Sequence, residues 1–517
     1  MRLSTTLALL AAATVGLLAG CAEPVDDINT VQPHYVSKAL FEGEWYYKQT
    51  ITDVSPEVSV GFVGLEGSLE KIRWEIREDQ LLAYRVHEAV PGLDQNDNAD
   101  VPGAEYKGDP VAKFDIIKHF DIRRGYSTST GEETNEIVEN ASDRPWHERD
   151  YMRIDWGSNN AQGPVDLAGI FTVWSQANDY VRETEIFDPD HLQVTEDYIS
   201  ITNLAVMEAD LATCYYSYGG FNCGAGHVRI RSSFAKIDPA DAEQFEPREY
   251  LDNIPLKDDD GRILRTVSLR LGNGDDVAEF ACTPEFMDFL DQLTAPGYFT
   301  FQDDCREVRY PQFERFGFFR TERYKYDRRV GGGHDDNREW YANIHNIWKN
   351  PVAADGSMRP ASERELRPVV YYTNPGYPAD LEAVAGRMAN DWDEAFIKTA
   401  MAATGKTETE IRDQVARDYG VPDWAYFEGD ALKQGGMFQI RRNTCSKQGI
   451  EAYVAKYPEL ADVVAEATEG EELLVGNFQR VCAGLTHYSR VRKVAEPFVW
   501  QQVGDVRFNH VNWVNEP

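Results

Sequence analysis

Residues 367–373 read Arg-Pro-Val-Val-Tyr-Tyr-Thr, residues 374–378 read Asn-Pro-Gly-Tyr-Pro, and residues 390–400 read Asn-Asp-Trp-Asp-Glu-Ala-Phe-Ile-Lys-Thr-Ala. The β-branched and aromatic run at 369–373 suits a strand. Asn374, Pro375 and Gly376 break it, and Pro378 suits the first position of a helix, where no N–H is lost. Leu381, Val384, Ala385, Met388, Trp392, Ala395 and Phe396 recur at helical spacing and define one apolar face. If that face is buried, truncating Trp392 to Ala costs roughly 3–5 kcal/mol. On pattern alone this is an α/β unit: strand, tight turn, long amphipathic helix.

Further stretches carry a family likeness: Trp45-Tyr46-Tyr47, Ile72-Arg73-Trp74-Glu75-Ile76, residues 114–121, 148–156, 316–322, 344–348 and 504–517. The strand–helix opening resembles the start of a metzincin-type zinc peptidase domain. The fuller likeness is to large secreted zinc-metalloprotease-like lipoproteins of myxobacteria and related bacteria. The resemblance implies attack of a zinc-bound water on a peptide bond, with a Glu as general base. It also implies a cleft-bordering strand that pairs with extended peptide, for which Asp505, Arg507, Asn509, Val511 and Trp513 are the matching positions.

The chain departs from that family at its centre. A His-Glu-x-x-His helix places two imidazoles one turn apart on zinc. None of the ten histidines is followed by Glu-x-x-His. The reading is therefore of a partial metzincin-like α/β domain over residues 365–517, with the zinc helix expected beyond Pro517. No catalytic residue and no metal ligand is assigned within the chain. Zinc is expected only if the catalytic segment is supplied from elsewhere.

The amino terminus has Arg2, an apolar run at residues 7–18 that is too short to span a bilayer, and Leu18-Ala19-Gly20-Cys21. The last four residues match a bacterial lipoprotein processing box, which predicts cleavage before Cys21 and acylation of Cys21. Several acyl chains, at about 0.8 kcal/mol per buried methylene, hold a protein at a membrane. Ala22, rather than Asp, favours the outer membrane under enterobacterial sorting. Residues 22–43 are expected to serve as a tether, with 22–32 acidic and unpatterned. No other run reaches about 18 apolar residues. The partners predicted are a membrane through the anchor, and a peptide or another envelope protein. A non-catalytic lipoprotein binding peptide, glycan or envelope protein is the alternative to the peptidase-related reading.

Net charge is −35, with no basic stripe, so nucleic acid is excluded as a partner. Seven cysteines leave six beside Cys21, and an even remainder in an exported chain suggests disulfides. Proximity favours Cys214–Cys223, Cys282–Cys305 and Cys445–Cys482, although other pairings stay open.

Residues 44–330 read as a β-rich region, a sandwich or a curved sheet. Strands are expected at 45–51, 69–76, 81–87, 112–121, 151–156, 180–187, 197–204, 227–237 and 263–271. Asp259-Asp260-Gly261 predicts a hairpin turn. Thr283 and Pro284 open a helix whose expected apolar face is Phe286, Phe289, Leu290 and Leu293. Asp94, Asn96, Asn98 and Glu105 have calcium-loop spacing, but Ala99 stands where that loop needs Gly, so a polar loop is the competing reading. Gly331–Gly333 with His334, Asp335 and Asp336 reads as a connector. Residues 331–364 form the expected connector between domains, and the stretch 350–366, with Pro351, Gly356 and Pro360, is the linker expected to mark the boundary. Beyond it, Thr407-Glu408-Thr409-Glu410 is a capping box that opens a helix striped by Ile411, Val415 and Tyr419. A strand is expected at 437–442, helical pieces at 449–457 and 458–467, and a strand at 503–514. The fold class is α+β. Neither a nucleophile elbow nor a phosphate loop is present.

Overall fold

A computed structural model describes residues 26–514 except 56–61, 88–105, 159–170, 210–225, 243–253, 259, 271–276, 294–304, 311–318, 325–337, 428–434 and 495. Strands dominate up to residue 342, and helices interleave with three short strands after it, so the fold is α+β.

The first twelve strands are β1 (Ile28–Asn29), β2 (Val36–Ser37), β3 (Glu44–Val54), β4 (Glu70–Ile76), β5 (Gln80–His87), β6 (Tyr106–Tyr126), β7 (Glu133–Asn140), β8 (Tyr151–Asp155), β9 (Phe171–Tyr180), β10 (Gln193–Val194), β11 (Tyr198–Ala209) and β12 (Gly226–Lys236). They join one sheet in the order β1-β7-β6-β5-β4-β3-β12-β11-β10, with β8 on β6 and β2, and β9 on β11. Of the two alternatives the curved sheet holds, and β6 explains the curl. It pairs β5 through its first half, β8 at Asp115–Phe120 and β7 from Asp121, with register shifts between. Such bulges bend a strand and tighten its twist.

Alternation fixes which side chains share a face. Trp45, Tyr47, Ile72, Leu81, Phe114, Met152, Ile199, Ile201 and Phe234 form one buried cluster. The opposite face of β3, β12 and β11 carries Thr50, Arg231, Ser233, Ser200, Thr202 and Tyr198, all buried as well.

Two amino-terminal expectations are corrected. The expected tether is docked over its described part. Ile28 and Asn29 pair in parallel with Glu136 and Ile137, Val36 and Ser37 pair with β8, and Lys38–Phe41 forms a 3-10 turn. Short strands of two residues leave no periodicity to read. The strand placed at 180–187 ends at Tyr180. Turns follow, with the Glu185 N–H donating to the Arg182 carbonyl and the Asp188 N–H to that of Glu185.

Small sheets follow: β13 (Ile254–Pro255) with β17 (Arg309–Tyr310), β14 (Arg265–Arg270) between β15 (Val277–Ala281) and β16 (Arg306–Glu307), and β18 (Arg320–Tyr324) with β19 (Arg338–Ala342). Of the expected turn, Asp259 lies outside the described residues; Lys257 bridges Ile263 across it, with Gly261 at φ +79°. Cys282 is bonded to Cys305. In the helix Pro284–Leu293, Thr283 caps as predicted, but the face differs. Met287 and Leu290 are buried while Phe289 and Leu293 are exposed.

The carboxy-terminal unit is built on β20 (Val369–Thr373), β21 (Phe438–Arg441) and β22 (Asn509–Val511), all parallel, in the order β21-β20-β22. Helices Glu382–Thr404 and Glu408–Tyr419 link β20 to β21. Helices Lys447–Lys456, Ala461–Ala467 and Phe478–Val491 precede β22. The Thr407 capping box forms as predicted, and Cys445 is bonded to Cys482. The expected linker is packed instead: Trp348 bridges Leu366, and Leu366 and Ile347 lie in a core with Ile397, Ile411 and Val415.

The long helix buries only part of the expected face, Ala385 and the half-buried Phe396, and adds inward residues from outside it. A 3-10 turn at Ala379–Leu381 follows Pro378, and the α-helix begins at Glu382. Ala385, Ala389, Asp393, Ile397 and Ala400 point inward, whereas Val384, Met388 and Trp392 are exposed, Trp392 by 53%. Small residues allow close approach to β21, and Asp393 has to be inside. Its Oδ1 accepts the backbone N–H of Met437 and of Phe438, and its Oδ2 meets Arg412 at 2.9 Å. Helix Phe478–Val491 was not anticipated. Its signal is Phe478, Val481, Cys482 and Leu485 at helical spacing, all buried.

Candidate functional site

In an open parallel sheet the ligand crevice lies at the carboxyl ends of strands, where connections part to either side. Here β21 and β22 flank β20 on opposite sides, so the relevant end is the turn after Thr373. Gly376 takes φ +84° in that turn, a conformation glycine adopts without strain. The Asn374 side chain hooks the next strand in both directions. Its Nδ2 donates to the Trp513 carbonyl at 3.1 Å, and its Oδ1 accepts the Trp513 N–H at 2.8 Å. Asn509 Nδ2 donates to the Val370 carbonyl.

The predicted substrate edge, Asp505 to Trp513, is shorter than expected. The Asp505 N–H donates to Gln502 O and the Phe508 N–H to Asp505 O, so 505–508 turn rather than extend. Asp505 is buried, and its carboxylate takes the Arg507 guanidinium at 2.7 Å. The Arg507 guanidinium in turn lies 3.7 Å from the Tyr198 ring centroid. Both side chains thus serve the contact with β11 and not an incoming peptide. Only Asn509, His510 and Val511 form the strand, with Trp513, 40% exposed, beyond it. No other strand of the described residues pairs with β22. Because the Val511 carbonyl accepts from Asn374, the strand's alternation turns the backbone groups of His510 outward. Burial holds the His510 imidazole below its ordinary pKa, so it is neutral near pH 7.

The residues before β22 seat on the polar face of the large sheet. Arg231 donates to the Val503 carbonyl at 2.9 Å and to Asp190 at 2.7 Å. Ser233 Oγ accepts the Val506 N–H, Gln193 donates to Gln502, and Gly504 rests on Thr50. Sequence reading missed Arg231. Its only trace is a pair of arginines, Arg229 and Arg231, in an otherwise strand-like run. Burial pushes the Tyr198 hydroxyl up to about 12.

Among the described residues, no three His, Cys, Asp or Glu side chains are grouped to hold a metal ion. A zinc ligand set is therefore not supplied by them. Two clefts lie elsewhere, one of about 530 Å³ between Thr184–Pro189 and Arg480, the other of about 610 Å³ between Lys349 and Arg417. Cys21, Cys214, Cys223, the calcium-loop candidates Asp94, Asn96, Asn98 and Glu105, and the loop with His334 lie outside the described residues. No helix among the described residues is long and apolar enough to cross a membrane.

No family model, curated protein or solved structure matches the chain.

Proposed function

We propose that this chain is an exported, lipid-anchored protein related to zinc peptidases. On this reading its carboxy-terminal unit is a partial metzincin-like sheet that holds an extended peptide along β22 without cutting it. The observation that carries the reading is the parallel order β21-β20-β22 with β22 unpaired on its outer side among the described residues. An open strand edge recruits extended chain by backbone hydrogen bonds. The disulfides Cys282–Cys305 and Cys445–Cys482 fit an oxidising compartment, and the Leu18–Cys21 box fits an anchor.

The test is fluorescence anisotropy of a fluorescein-labelled unstructured peptide with alternating Val and Lys, titrated with the mature chain. Binding of about 1–100 μM is expected for a short added strand. It should vanish when alternate peptide amides are N-methylated and weaken with Trp513→Ala. Binding that survives N-methylation, or no binding at all, overturns the edge-strand reading. Casein hydrolysis by the purified chain alone overturns its non-catalytic half.

A further inference from the structure

The docked amino terminus also says which end of the large sheet meets the membrane. β1 runs parallel to β7, with Ile28 opposite Glu136 and Asn29 opposite Ile137. It is fastened there: Arg124 pairs with Asp27 at 2.8 Å, Asn135 Nδ2 donates to the Asp26 carbonyl at 2.9 Å, and the Thr30 N–H donates to Ile137 O at 2.9 Å. Traced backwards, a strand in this register heads past Glu133, toward the turn joining β6 to β7. In that turn the Ser127 N–H donates to Glu132 O, and Gly131 takes φ +73°.

Cys21 precedes Asp26 by only five residues. At full extension that reaches no more than about 18 Å. An acylated Cys21 therefore keeps the β6–β7 turn near the lipid headgroups. The turn suits that place. Tyr126, 59% exposed, closes β6, and an aromatic ring with a hydroxyl favours the interface between headgroups and acyl chains. Ser127, Thr128, Ser129 and Thr130 follow, offering hydroxyls to phosphates and carbonyls. No Lys or Arg occurs from Ser127 to Glu133, and the chain carries −35 overall, so anionic lipid has no electrostatic pull here.

We propose that the β6–β7 turn, led by Tyr126, is the surface that rests on a zwitterionic phospholipid bilayer. The inference depends on the lipid-anchor reading above.

The experiment uses the full lipidated protein reconstituted into phosphatidylcholine–phosphatidylethanolamine vesicles. An environment-sensitive fluorophore is placed at Ser129→Cys or, as a distal site, at Lys398→Cys. Flotation of the wild-type protein but not of Cys21→Ser tests the anchor, and loss of flotation in neither overturns it. With vesicles whose phosphatidylcholine is brominated at shallow depth, emission at residue 129 should fall at least about twofold and emission at 398 should stay unchanged. Tyr126→Asp should reduce the quenching at 129 while flotation persists. Floating protein with residue 129 unquenched, or with 129 and 398 quenched alike, overturns the orientation and leaves the anchor standing.

Discussion

Arg231 and Asp190 face each other at 2.7 Å, with 2% and 7% of their side chains exposed. The pair joins a strand in the middle of the large sheet to the loop before β10, and the same guanidinium reaches the Val503 carbonyl. One buried side chain therefore links both halves of the molecule. Arg231→Met should cost about 3–5 kcal/mol, because it strands a buried carboxylate. Asp190 keeps Arg229 at 3.4 Å, so the lower end of that range is expected. Chemical denaturation checks it, and a change below about 1 kcal/mol would mean that the pair does not fix the seam.

Trp392 and Ile397 lie on opposite faces of one helix. Trp392 is half exposed, over Phe438 at 5.9 Å, whereas Ile397 is buried. Trp392→Ala should lower stability by about 1 kcal/mol, well below what a core Trp would show, and Ile397→Ala by about 2–5 kcal/mol. The reverse ranking in thermal or urea melts would restore the face read from sequence.

Gly504 takes φ +81°, and a Cβ there would stand 2.7 Å from the Thr50 Cβ. Gly504→Ala meets both the strain of that conformation and a backbone-held neighbour, at about 1–3 kcal/mol. Thr50→Gly in the same chain should recover part of that loss, since it removes the clash and leaves the φ penalty. Denaturation midpoints of the two single variants and the double variant decide this.

Glu139 ties the amino-terminal segment to the sheet. It accepts from Arg153, from Lys118 and from the Gln32 N–H, and the Arg153 hydrogen bond above all holds its pKa down to about 2 from 4.5. Its folded pKa is depressed, so its contribution is complete above about pH 4.5 and is lost as pH falls through about 2. With 9% of the side chain exposed, that contribution is on the order of 3 kcal/mol. Glu139→Gln should flatten the stability profile between those pH values and speed hydrogen exchange at Thr30. An unchanged acid slope would show that other carboxylates set it.

Local chemistry was the part most legible in the sequence. The strand at 369–373 and the Thr407–Glu410 capping box depend on neighbours within a few residues and appear as read. The disulfides at 282–305 and 445–482 follow from proximity. The docking of Ile28 and Asn29 was not legible, because two residues carry no period and their partner lies more than a hundred residues on. The inward face of the long helix was hidden because size misleads there. Alanines give the close approach, and a buried carboxylate caps the start of β21, while larger apolar residues stay outside. The strand expected at 503–514 is present only at Asn509–Val511, since Asp505 and Arg507 answer each other and Tyr198 across a contact far apart in sequence.

The seam between the halves joins polar groups, Thr50, Ser233, Gln193, Gln502 and Arg231 with Asp190, to an apolar contact in which Phe187 packs against the core of the carboxy-terminal helices. Each of those buried polar groups would lose its partner if the carboxy-terminal unit shifted on the sheet. The seam therefore admits one placement of that unit and not a sliding one.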